Sequence, residues 1–415
     1  MKINFNRIKL LIISTMVDVS HPSVITIFRT SLYSFLLINT LIMLPGADLF
    51  WGPSSYSYFQ ITDQINLFTT ALSILARSDS TSFYYYFLML QIISLIFGIF
   101  GICPLLCSIL VYFLTINLDN KAWPTLNGGN NLVHIQLLYL IVIELGLSVN
   151  RQLKRYNVNQ GSVYELFNGL ANFGFLTARI QLVIVYVVSG LTKLKGALWI
   201  HGVALYYVFN TEAYSHPLAV KYIATSDFLI VAGTYFTLIF QLGFPWLIWI
   251  RKFRKVLIPM GTFLHMQIAF VMGLMDFGFA MSVMYLLFLT EDRASIIINY
   301  WQPKSVLFVH CPTIGSKLAL KLVKLFDFSD RINTLDQNIE RCPSACSEER
   351  FFFGIEIGIE ITKRIPILLP LVPILMILKI TDFGSLSRRK SFNLNVERIN
   401  KPEQILMKKE LRDLI

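Results

Sequence analysis

Charge is what this sequence has least of. Only 15% of its 415 residues are charged, against 55% that are hydrophobic, and the mean hydropathy of +0.59 is too high for a water-soluble chain of this size. Acidic residues are scarcer than basic ones, 25 against 36, a balance that could suggest a nucleic-acid partner. The Lys and Arg instead fall into short clusters beside apolar runs, which reads as membrane topology and contact with anionic headgroups; the expected partner is the lipid bilayer, with no nucleic acid. Cysteine is sparse, five in all. Cys103 and Cys107 lie one turn apart in an apolar run and the other three in the tail, so a disulfide framework is excluded and reduced thiols are expected. No small-residue cleavage site follows Lys2, Arg7 and Lys9, so the first span itself is expected to target the chain. No internal repeat is evident.

Long apolar runs are what remains. A span needs about 20 mostly apolar residues, and the sequence predicts an all-α polytopic membrane protein of about seven or eight transmembrane helices within residues 20–295. The first span runs from about Ser23 to Leu44 and stops at Pro45-Gly46. From Phe83 to Asn117 the run is too long for one span, and Gly98, Gly101 and Pro104 offer a break, so two spans are expected. Asn127-Gly-Gly-Asn130 marks a turn before the fourth span, Leu132 to Val149. The fifth is expected from Ala178 to Leu194, with Asn168 to Thr177 as an interfacial lead-in. The sixth covers Phe228 to Ile250, the seventh Val256 to Met275, and Phe277 to Leu289 is a shorter eighth or re-entrant piece.

Placing Lys2, Arg7 and Lys9 inside also puts the clusters at 151–155 and 251–255 inside, as the positive-inside rule requires. The expectation is a multi-pass protein of the cell membrane with a cytoplasmic N-terminus. With eight spans, the tail at 296–415 is cytoplasmic too. That tail reads as a small soluble α/β-like portion: a strand-like run at Ser305 to His310, a helix-like run at Lys317 to Phe326, and an apolar run at Ile365 to Leu378 punctuated by Pro366, Pro370 and Pro373.

Ionisable groups at membrane depth are costly unless paired, so each is a functional or structural candidate. Arg29 and Glu144 both sit about 9 Å inside the same boundary by helical rise, and a structural ion pair between the first and fourth spans is the preferred reading over catalysis. In the fifth span Arg179, Tyr186, Gly190 and Lys193 recur at spacings of seven, four and three and share one helical face. Lys193 can be a desolvated base or a snorkelling cation. His265, near the middle of the seventh span, must find a partner: an interhelical hydrogen bond or a polar cavity. His134, His201 and His216 show no ligand spacing, and no metal is expected.

The run from Gln181 to Gly202, with Gly190-Leu-Thr-Lys193-Leu194 at its centre, resembles the signature segment of the HTTM domain, the membrane domain shared with vitamin K-dependent γ-carboxylases. Phe28-Arg29, Asn127-Gly-Gly-Asn-Asn131, Phe244-Pro245 and His265 agree with it, over about residues 20–295. Leu132 and Gln241 depart from the pattern, where the carboxylases carry histidine and glutamate. The resemblance implies catalytic roles for Lys193 as base, with His265 and Asn131 beside it; Tyr186 and Gly190, on the helical face of Lys193, are expected to line a site for a quinol-like cofactor or substrate. It also implies one outward-facing cavity among the fourth, fifth and seventh spans. The tail is similar to a degenerate DCC thiol-disulfide oxidoreductase-like domain: Cys311-Pro312, Asp327 and Phe353-Gly354 follow that pattern, but no Cys-x-x-Cys is present.

Three functions compete on this reading. One is a membrane enzyme acting on a quinol-like or lipid-soluble substrate. Another is a maturation or export factor for a small secreted peptide toxin, since the sporulation-delaying-protein maturation family is related to the HTTM group. The third is a non-catalytic scaffold or transporter.

Overall fold

A computed structural model describes residues 19–52, 74–75, 83–155, 161–211, 217, 220–301 and four strands in the tail. The basic N-terminus, His216, Cys311, Cys342 and the tail runs at 317–326 and 365–378 lie outside these residues, as do the side chains of Lys154 and Arg155. The chain divides into two compact units, Met1–Ser295 and Ile296–Ile415.

The first unit is helical: α1 Pro22–Met43, α2 Phe83–Phe100, α3 Pro104–Lys121, α4 Gly128–Arg155, α5 Ser162–Leu194, α6 Asp227–Leu247, α7 Arg251–Val271 and α8 Met275–Met284, and α9 Glu291–Trp301 begins within it. Among the described residues five helical segments are long and apolar enough to cross a membrane: Pro22–Trp51, Phe83–Phe100, Gly128–Leu153, Ser162–Leu194 and Asp227–Leu247. The chain is therefore a multi-pass membrane protein. Seven spans would also need α3 and α7, and eight would need α8 as well. Asp119 and Lys121 near the end of α3 and the basic start of α7 reduce their apolarity, and α8 has only 10 residues.

Local chemistry explains the breaks. Between α2 and α3 the chain turns through Gly101 at φ 73° and Cys103 at φ 43°, and Pro104 opens α3 where its missing N–H costs nothing. Pro22 likewise opens α1. The two N–H groups that follow, on Ser23 and Val24, donate to the carboxylate of Glu291 at 2.8 and 3.3 Å, so α9 caps α1 with charge of the favoured sign. The fifth helix is one continuous element from Ser162, without the separate lead-in expected from sequence. Its polar start is held by α4: Asn150 Nδ2 donates to Asn168 Oδ1 at 2.6 Å.

Helix α4 packs on α3 and α5, α5 on α6, and α8 on α1, α4 and α7. One core joins Phe28 and Leu32 of α1, Leu137 and Leu140 of α4, Leu182 and Tyr186 of α5, and Phe240 and Phe244 of α6. Large apolar side chains also cover the outside, Phe228, Trp246 and Ile42 among the most exposed. That arrangement suits hydrocarbon and not water.

In the second unit, β1 Val306–Val309 pairs in parallel with β2 Ile332–Leu335 and antiparallel with β3 Ser344–Ser347, which pairs antiparallel with β4 Arg350–Phe353. The strand order is β2-β1-β3-β4.

Candidate functional site

The inward face of α5 carries the site. Tyr186 is fully buried, and its hydroxyl lies 2.8 Å from His265 Nε2 of α7 and in hydrogen-bond contact with the Tyr285 hydroxyl, in the 3-10 turn that follows α8. Three titratable groups from three elements thus form one relay inside the bundle. Its walls are aromatic: Phe244 and Phe240 stand 4.2 and 5.7 Å from the Tyr186 ring, and Phe277 stands 5.6 Å from His265. Close approach requires Gly261, where a Cβ would collide with the Tyr285 hydroxyl, and Gly278, where it would meet the His265 carbonyl. His265 Nδ1 is buried with no partner among the described residues. A donor and acceptor chain of this kind can hold a proton or a bound polar group away from water.

Two turns beyond Tyr186, Lys193 Nζ donates to Ser189 Oγ at 2.7 Å, and Ser189 donates to Gln241 Oε1 at 3.1 Å. The ammonium also sits 5.1 Å from the centre of the Trp199 ring, a cation-π contact. No carboxylate lies within ion-pair distance of it among the described residues. Gly190 brings α6 against α5 here: a Cβ would lie 2.9 Å from Leu242 Cδ2. Lys193 is within electrostatic reach of His265, but its hydrogen bonds run to Ser189, outside the relay.

Asn131 does not join Lys193 and His265. It is exposed on α4, because its neighbours Asn130 and Val133 occupy the inward face and a step of one residue turns the side chain by about 100°. A cavity near this end lies among α1, α2, α3, α4 and α8. It holds about 50 Å3 and is lined by Asn39, Gln91, Thr115, Asp119, Asn130 and Asp276, among others. His134 Nε2 lies 2.6 Å from Asp119 Oδ2. Asn127 Oδ1 accepts the Gly129 N–H at 2.7 Å, capping α4, while its Nδ2 reaches Asp276 at 2.5 Å. The sequence reading overlooks Asp119 and Asp276. Matching charges by depth across the short α3–α4 connection would have found the first.

Arg29 and Glu144 are in contact: Nη1 donates to Oε1 at 2.7 Å, with residue exposures of 7% and 0%. Glu144 Oε2 also accepts from Arg151 at 3.1 Å, so one buried carboxylate serves two guanidinium groups. Arg179, on the relay's own helix, turns away from the relay: its Nε donates to the Leu287 carbonyl at 2.7 Å and it lies 4.2 Å from the Phe175 ring. Among the described residues no group of three His, Cys, Asp or Glu side chains could hold a metal ion.

Comparison with known proteins adds two relatives, both from Bacillus subtilis (strain 168). The chain is 22% identical to sporulation-delaying protein SdpB over 256 residues, which is 60% of this chain and 77% of that protein. It is 27% identical to the uncharacterized protein YitO over 135 residues, 31% of this chain and 43% of that one. No protein-family model matches the chain, and no solved structure matches it. The chain is thus similar, over 60% of its length, to a sporulation-delaying protein.

Proposed function

We propose that this chain works in the cell membrane in the maturation or export of a small secreted peptide. The similarity to a sporulation-delaying protein over 77% of that protein's length carries the reading. In it, α3 and α7, with α8 as an eighth span or a re-entrant piece, complete a bundle of seven or eight spans of HTTM type over residues 20–295. The N-terminus and the basic clusters at 151–155 and 251–255 face the cytoplasm, and residues 296–415 form a cytoplasmic, degenerate thiol-disulfide oxidoreductase-like domain. The Tyr186–His265–Tyr285 relay and Lys193 supply the polar groups that act on the passing peptide. Deleting the gene in its host should remove at least one processed peptide from the culture medium, read by mass spectrometry of secreted species. The wild-type gene should restore it and His265→Ala should not. A secreted profile unchanged by the deletion would overturn the reading.

A second reading keeps Lys193 as a base toward a quinol-like acid. Lys193 is half-buried, has a hydroxyl partner and lacks a carboxylate partner among the described residues, so no acidic side chain described there competes with a substrate for its proton. His265 Nδ1, buried without a partner among the same residues, is the group that would hold the resulting anion. A bound quinol would supply the acidic hydroxyl.

A further inference from the structure

At the end of the bundle where α1 and α7 begin and α6 ends, two arginines, Arg179 and Arg254, have no ion pair among the described residues. Arg179 uses Nε on the Leu287 carbonyl, yet its Nη2 is buried with no partner among the described residues. Arg254 of α7 is within electrostatic reach of Arg179 and, among the described residues, donates to a neutral carbonyl, that of Ile248, at 3.1 Å. His21 sits beside them, its ring 5.1 Å from Phe175, with Nδ1 again buried and unpartnered among the described residues. Burial first, then Arg179, pushes the His21 imidazole below its ordinary value, so it stands there neutral and able to donate. Among the described residues Glu291 is an acidic group in reach of His21, and its carboxylate accepts from the N–H groups of Ser23 and Val24.

His21 and Arg179 line a cleft of about 500 Å3 between the start of α1 and the first half of α5, together with Asn172, Leu166, Leu170, Phe173 and Leu176. Leu166 and Phe173 are more than 60% exposed. The cleft is therefore a cationic pocket continuous with an apolar, outward-facing trough, at the depth where α1 enters the membrane. An amphiphile with an anionic head fits that combination, and a soluble anion would leave the trough empty.

We propose that this cleft binds one anionic phospholipid. Its phosphate accepts hydrogen bonds from Arg179 and His21 under the field of Arg254, and its acyl chains lie against the α5 trough. This site is separate from the relay and does not depend on the peptide reading. The test uses the full-length protein in mild detergent, titrated with phosphatidylglycerol, phosphatidylcholine or inorganic phosphate, and read by native mass spectrometry and by thermal melting. Phosphatidylglycerol should be retained about tenfold more than phosphatidylcholine, a difference of about 1.4 kcal/mol, and should raise the melting temperature. Arg179→Gln should abolish the preference. Phe173→Glu, on the exposed trough, should weaken it without disturbing the core, which keeps the test usable if the arginine variant fails to fold. Equal retention of the two lipids, or an identical melting shift from inorganic phosphate alone, would overturn the proposal.

Discussion

Glu144 is the most constrained side chain described in this bundle. It is wholly buried and accepts from two arginines, Arg29 at 2.7 Å and Arg151 at 3.1 Å, so its loss strands at least one buried cation. Glu144→Gln is expected to cost about 3 kcal/mol or more, seen as a lower melting temperature in detergent and a lower yield. Arg29→Met combined with Glu144→Leu should recover part of that loss, because it removes both buried charges together. Counting residues from the span ends brings Arg29 and Glu144 to one height, so their contact is legible in the sequence. The share taken by Arg151 is not, because its place in a basic cluster reads equally well as a topology signal. The same counting cannot choose between Asn130 and Asn131: both lie at the right depth, and only the rotation of α4, set by its packing, decides which one faces inward. For His265 the sequence requires a partner without naming it. Tyr186 shares the relevant helix face in the sequence, but Tyr285 arrives from a short 3-10 turn that no periodicity announces.

At the scale of elements, glycine sets the distance between α4 and α5. A Cβ on Gly146 would meet the Phe167 carbonyl and lie 3.0 Å from Ala171 Cβ, and one on Gly174 would lie 2.9 Å from Ile143 Cγ1. Gly146→Ala should therefore push the two helices apart and cost about 1–3 kcal/mol. Gly243→Ala, where the nearest atom would be Leu247 Cδ1 at 3.6 Å, should be close to neutral in the same melting assay. The hairpin between α2 and α3 is readable from Gly101 and Pro104, since both punctuate helices for backbone reasons alone. The full length of α5 is not readable in this way. Asn168, Gly169, Asn172 and Gly174 lower the local helix preference, and tertiary contacts, such as Asn150 with Asn168 and Ser20 with Asn172, hold that stretch as a helix.

For the whole molecule, apolar runs identify the membrane class without ambiguity, whereas the number of crossings depends on helices whose charged ends the sequence alone cannot locate relative to lipid. Orientation can be measured. A cysteine at position 153, replacing Leu153 at the end of α4, should resist an impermeant thiol reagent in intact cells and react after permeabilisation; labelling in intact cells would invert the proposed topology. The 33 residues of α5 have one further consequence. At 1.5 Å per residue the helix is about 50 Å long, while the hydrocarbon slab is about 30 Å thick. It must lean or protrude, and its exposed apolar flank at Leu166, Phe173 and Leu176 makes leaning the less costly choice. A thicker bilayer would draw α5 upright and a thinner one would lay it down, so the angle between α5 and α1 becomes a gauge of hydrophobic thickness.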